Sequence, residues 1–99
     1  MSAQLTITQP AINDIEQIAD YLAAESGLAR SEKFLSNLYG KFAKIARFPT
    51  IGRKRSELLP RARSLSIENY IILYIVDGAN ISIMRVVSGY RDLNALFDD

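Results

Sequence analysis

A chain of 99 residues is one domain's worth of polypeptide, and its 48% hydrophobic and 23% charged residues exclude a disordered chain. It has no cysteine and no histidine. That excludes a disulfide framework and a thiolate or imidazole metal site, and it removes the side chain that ordinarily titrates near pH 7. Acid–base chemistry would fall to Glu, Asp, Lys or Tyr with shifted pKa values. The net charge of +1 hides an asymmetry: Lys41 to Arg63 holds eight basic residues and one acid, Glu57, and the remainder four basic and ten acidic residues. Screening acts over about 8 Å at physiological salt, so a partner meets the cluster and not the sum. The functional reading is a surface for an anionic partner; the alternative is a solvated basic face.

In chain order, residues 3–8 alternate Leu5 and Ile7 with polar neighbours and predict a short strand. Pro10 suits the first turn of a helix. Ile12, Ile15, Ile18, Ala19 and Leu22 then recur at three- and four-residue spacing, predicting a helix over about 11–25. Asp14, Glu16 and Asp20 lie off that stripe, and acidic charge near the start suits the helix dipole. Gly27 is placed to cap the helix. A second helix is expected over about 29–46 on the stripe Phe34, Leu35, Leu38, Phe42 and Ile45, stopped by Pro49 with Phe48 tucked beneath its end. Residues 49–61 are punctuated by Pro49, Gly52 and Pro60 and read as a loop with one helical turn near Ser56–Leu59. Three strands follow: 62–67, the apolar run Tyr70–Val76, and 81–87, the last two joined by a turn at Asp77–Asn80. Leu93, Leu96 and Phe97 give the tail helical spacing.

The expectation is therefore a single domain, residues 1–99, of α+β class: β-α-α-β-β-β with a short C-terminal helix, an antiparallel sheet of four strands and a helical hairpin packed on one face. The N-terminal residues show no basic region followed by a long apolar core, and Tyr70–Val76 is far short of the roughly 20 residues that span a membrane. A cytoplasmic protein without a membrane association is expected.

These pieces, taken together, resemble the ParE branch of the RelE/ParE toxin superfamily over nearly the whole chain. The residues that carry the resemblance are Pro10-Ala11 with Asp14-Ile15, Ile18 and Tyr21; Phe34, Leu38 and Ala46; Pro49, Gly52, Arg53, Arg55, Glu57 and Leu58; Arg63-Ser64; Tyr70, Ile72 and Tyr74; Arg85-Val86-Val87 with Gly89; and Arg91-Asp92-Leu93 ahead of Phe97. Two departures stand out. Pro60-Arg61-Ala62 precedes Arg63 where such chains often carry Gly, and Ser88 stands beside Gly89 where many carry His. The resemblance implies the toxin of a type II toxin–antitoxin pair, silenced by a cognate ParD-like antitoxin, with a homo-oligomer or a hetero-oligomer with the antitoxin both open; with no His and no Cys, no cofactor or metal is expected.

On that fold the resemblance implies two mechanisms. ParE-like members are associated with inhibition of DNA gyrase by binding, and RelE-like members cut mRNA on the ribosome; a non-toxic member of the fold is a third outcome. Gyrase inhibition needs a recognition surface, and the candidates for target or antitoxin binding are Arg53, Lys54, Arg55, Arg63, Arg85 and Arg91. An RNase would need cations at the phosphate and an acid–base pair, and the candidates are Arg63, Arg85, Glu57 and Tyr90. Each also has a structural reading. Glu57 forms a local ion pair with its basic neighbours, Arg85 pairs with Asp92 or Glu57, and Arg91-Asp92 fixes the terminal helix. Tyr70 and Tyr74 pack in the core, Gly52 and Gly89 serve turns, and Arg63-Ser64 charges a sheet edge. The basic neighbours and the missing histidine favour binding over catalysis.

Overall fold

A computed structural model describes residues 4–90 and 93–96. Its elements are β1 (Gln4–Ile7), α1 (Gln9–Ser26), α2 (Leu28–Arg47), a 3-10 turn at Pro49–Ile51, β2 (Arg53–Lys54), β3 (Ala62–Ile67), β4 (Tyr70–Asp77), β5 (Asn80–Ser88) and a 3-10 turn at Leu93–Leu96. The expected architecture stands: a helical hairpin lies on one face of one sheet. Two details differ. The sheet has five strands in the order β1-β5-β4-β3-β2, because Arg53 and Lys54 pair with Ser64 and Arg63 where a loop was expected. And β1 runs parallel to β5 at the opposite edge, so the sheet is mixed.

Both helices form where the apolar stripes place them. The buried apolar residues are Ala11, Ile15 and Leu22 on α1 and Phe34, Leu38, Phe42 and Ile45 on α2. They close on Ile67, Ile72, Tyr74, Ile81, Ile83 and Val86 of the sheet in one core cluster. Gly27 alone joins the helices. Its φ of 92° lies in the region that favours glycine, and its N–H bonds Ala23 O at 3.1 Å. Because α1 already starts at Gln9, its first turn holds no acid, and Asp14 belongs to the second turn. Phe48 does not tuck under α2: it is 54% exposed, with the Arg47 guanidinium 5.5 Å from its ring. Residues 56–59 make a hydrogen-bonded turn from Arg55 O to the N–H groups of Leu58 and Leu59, without a helix.

Ile72 and Tyr74 face the helices from β4, as period-two alternation requires. On β5, Ile83 and Val86 both reach the same core although three positions separate them. An inserted residue reconciles this. The pairing steps from Leu73–Arg85 to Tyr74–Ile83, leaving Met84 as a bulge. The bulge also re-aims Arg85 toward α1. There Asp14 Oδ2 accepts from Arg85 Nε at 2.7 Å and Val86 N–H at 3.0 Å, while Oδ1 accepts from Arg85 Nη2 at 3.0 Å. One carboxylate thus pins the first helix to an irregular strand 71 residues away.

Candidate functional site

The basic residues gather at the β2 end of the sheet, and a buried tyrosine explains how they are held. Tyr74 is fully buried. Its hydroxyl donates to Pro49 O and accepts from Gly52 N–H, both at 2.8 Å. Arg63, across the ladder from Tyr74, donates from Nη1 to Gly52 O at 2.8 Å and Thr50 O at 3.2 Å. Two strand side chains therefore clamp the turn that follows α2, and that turn delivers β2. Gly52 has an ordinary φ of −76°; it is glycine because an added Cβ would lie 2.5 Å from the Tyr74 hydroxyl.

Burial pushes the Tyr74 hydroxyl above the usual tyrosine pKa, against the opposing pull of the Gly52 N–H and of Arg63. A raised folded-state pKa means the neutral phenol is the form that the fold favours. Its stabilisation is complete below about pH 10, the unfolded value, and is lost as pH rises through the higher folded value. Tyr70 adds to this slope, since burial, Tyr21 and Glu68 raise it as well. A Tyr74→Phe variant is expected to lose about 1–3 kcal/mol at pH 7, because Pro49 C=O and Gly52 N–H go unpaired. It should also show a shallower fall in urea midpoint above pH 10, leaving the share that belongs to Tyr70.

Beside the clamp lies a cleft of about 350 Å³ lined by Thr50, Lys54, Ser56, Arg61 and Arg63, with Ala62 and Val76. Lys54 and Arg63 are directly opposed across β2 and β3. Such like-charge pairs are destabilising in isolation. Arg61 holds a left-handed φ of 63°, a conformation that costs a non-glycine residue about 1 kcal/mol, and its guanidinium reaches Asp77 at 3.1 Å. Arg61 belongs to the basic stretch seen in the sequence, but its place in the cleft depends on that backbone turn, for which the sequence offers no glycine or asparagine signal.

The candidates from sequence fall into separate places. Lys54 and Arg63 share the cleft. Arg53 precedes Lys54 on a strand, so its side chain points to the opposite face. Arg55 is half-buried, 3.7 Å from Glu57, and its Nε is buried without a hydrogen-bond partner. Glu57, with its side chain 58% exposed, makes the local ion pair expected of it. Arg85 pairs with Asp14, not with Glu57. Arg63 sits on an inner strand covered by β2, not at an edge. Tyr90 lines a different cavity, beside Tyr70 and Tyr21. Tyr74 faces Arg63, and Tyr70 faces Ser88 just before Tyr90; those positions are four residues, or about 13 Å, apart along β4. Arg91, Asp92 and Phe97 lie outside the described residues. Among the described residues no group of three His, Cys, Asp or Glu is placed to hold a metal ion, and no helix is long and apolar enough to cross a membrane.

Fold and site together define a class of small two-layer α+β proteins, here with Lys54, Arg61 and Arg63 lining one cleft. In it Glu57, Tyr90 and Arg63 do not meet. Over residues 5–93 the sequence matches the family described as ParE toxin of type II toxin–antitoxin system, parDE, and the chain belongs to that family. Toxin ParE3 of Caulobacter vibrioides is 27% identical over 88 residues, covering 89% of this chain and 88% of that protein. Toxin ParE1 of Mycobacterium tuberculosis is 28% identical over 95 residues, covering 95% and 97%. The fold is similar to that in the chromosomal ParDE TA system from P. aeruginosa, with a TM-score of 0.76, 21% identity and coverage of 88% of this chain and 96% of that one. It is also similar to that in the toxin–antitoxin complex RelBE2 from Mycobacterium tuberculosis, with a TM-score of 0.64, 19% identity and coverage of 89% and 99%.

Proposed function

We propose that this chain is a cytoplasmic toxin that inhibits DNA gyrase by binding it, without a covalent step of its own, and that a cognate antitoxin keeps it silent. The observation that carries the reading is the separation of the candidate RNase groups. Arg85 is engaged by Asp14, Glu57 by Arg55, and Tyr90 lines a different cavity from Arg63. Ribonucleolytic transfer to a 2′-hydroxyl needs base, acid and phosphate clamp within hydrogen-bond reach of one substrate. Binding needs only a surface.

The antitoxin half of the proposal rests on the Lys54–Arg63 opposition. Two cations held face to face are relieved by an anionic partner group, so the cleft favours acidic side chains of an antitoxin segment. Lys54→Glu and Arg61→Glu are each expected to weaken the toxin–antitoxin complex about tenfold at low salt and to flatten its salt dependence. Isothermal titration at two salt concentrations reads both effects; unchanged affinity in both variants rules the cleft out. The target half is tested with purified toxin in a gyrase supercoiling assay and, in parallel, with ribosomes translating a defined mRNA. Loss of supercoiling with intact mRNA is the expected result. Codon-phased cuts in the mRNA, or no effect in either assay, overturn the proposal.

A further inference from the structure

A cavity of about 620 Å³ opens at the other end of the molecule, where the C-terminal half of α1 meets the ends of β4 and β5. Its walls include three tyrosines, Tyr21, Tyr70 and Tyr90, over an apolar strip of Ile18 and Leu22. Tyr70 is fixed from beneath by Phe34, with ring centroids 5.2 Å apart. Tyr21 is 59% exposed and Tyr90 88% exposed. Aromatic rings present negative faces, and they order at low conformational cost.

The charges around the groove fix the sign of its occupant. Arg30, the cation on its wall, is engaged by Glu68. Glu25, the acid on its wall, has no ion-pair partner among the described residues. Helix α1 as a whole carries Asp14, Glu16, Asp20 and Glu25 and no Lys or Arg. Burial first, then Tyr21 and Glu68, raises the Tyr70 hydroxyl above the usual tyrosine value, with Arg30 opposing. An anionic or purely apolar occupant would leave Glu25 and the ring faces unanswered. A planar cation that stacks on rings and reaches a carboxylate answers both.

We propose that this tyrosine groove seats an arginine side chain, with lysine the weaker alternative, carried on a protein partner and held by the faces of Tyr21 and Tyr90 and the carboxylate of Glu25. The partner surface is thus read at two places of opposite sign: acidic groups at the β2 end and a cation here. The groove stands apart from the cationic cleft, and the proposal holds whether or not the target is gyrase.

The test uses the whole chain and N-acetyl-arginine amide as probe, followed by NMR. Saturable shifts confined to Tyr21, Tyr90 and Glu25 are expected, with a dissociation constant on the order of millimolar. N-acetyl-citrulline amide, neutral and nearly isosteric, should produce none. Glu25→Gln and Tyr21→Leu should each weaken arginine binding several-fold; both positions are exposed, and unchanged amide dispersion verifies folding. Equal shifts from citrulline, no saturation with arginine, or shifts elsewhere on α1 that survive both variants would overturn the assignment.

Discussion

An Asp14→Ala variant is expected to lose about 3 kcal/mol of folding free energy, a large part of the 5–15 kcal/mol typical of a domain. The carboxylate accepts all three hydrogen bonds that fix Arg85 and the Val86 N–H. Side-chain exposure at the pair is only 24% for Arg85 and 12% for Asp14, so water replaces the lost acceptor poorly. Removing one partner leaves a half-buried cation and a buried N–H unmatched. For a domain of this size the loss corresponds to a fall of about 15 °C in Tm. Asp14→Asn, which keeps an acceptor, should lose less, and Glu16→Ala, on the exposed side of the same helix, should stay within about 0.5 kcal/mol of the parent. A fall of under 1 kcal/mol for Asp14→Ala in urea unfolding would show that the helix is held to β5 by packing alone.

Gly52→Ala is the second large effect, at about 3 kcal/mol. The new methyl would sit 2.5 Å from the Tyr74 hydroxyl and 2.8 Å from Ser64 O, and the second of these is backbone. The hydroxyl must retreat, and with it go the bonds to Pro49 O and Gly52 N–H. Gly40→Ala supplies a contrast of opposite sign. It lies within α2, an added Cβ meets nothing within 4 Å, and alanine there should stabilise by about 0.5–1 kcal/mol. Thermal melts of the two variants beside the parent decide the matter; equal stability of Gly52→Ala and the parent would dissolve the clamp.

What the sequence disclosed follows from how each signal is written. The stripes of Ile15, Leu22, Phe34, Leu38 and Ile45 repeat at helical spacing, and a local period is enough to place α1 and α2. Tyr70–Val76 is apolar throughout, and it occupies the centre of the sheet. β2 escaped notice because two residues carry no period. The parallel seat of β1 on β5 is a choice of partner, and strand patterning marks faces without naming neighbours. Sequence reading offers Arg85 the acids Asp92 and Glu57, yet its mate Asp14 stands 71 residues upstream. The bulge at Met84, which makes that reach possible, appears only once the register of β4 and β5 is known. Tyr74 read as a core residue and is one, but its hydroxyl duty depends on where Pro49 and Gly52 return to the sheet.

The pairing of Gln4 with Asn80 at the sheet's edge has a consequence for the birth of the molecule. During synthesis the first strand leaves the ribosome early and must wait for the fifth. At about 5–20 residues per second that interval is roughly 4–15 s, a span in which the helical hairpin, whose contacts are local, already has its complete sequence. The sheet closes only after β5 has been made, so through that interval the apolar stripes of α1 and α2 lack the strands that later cover them.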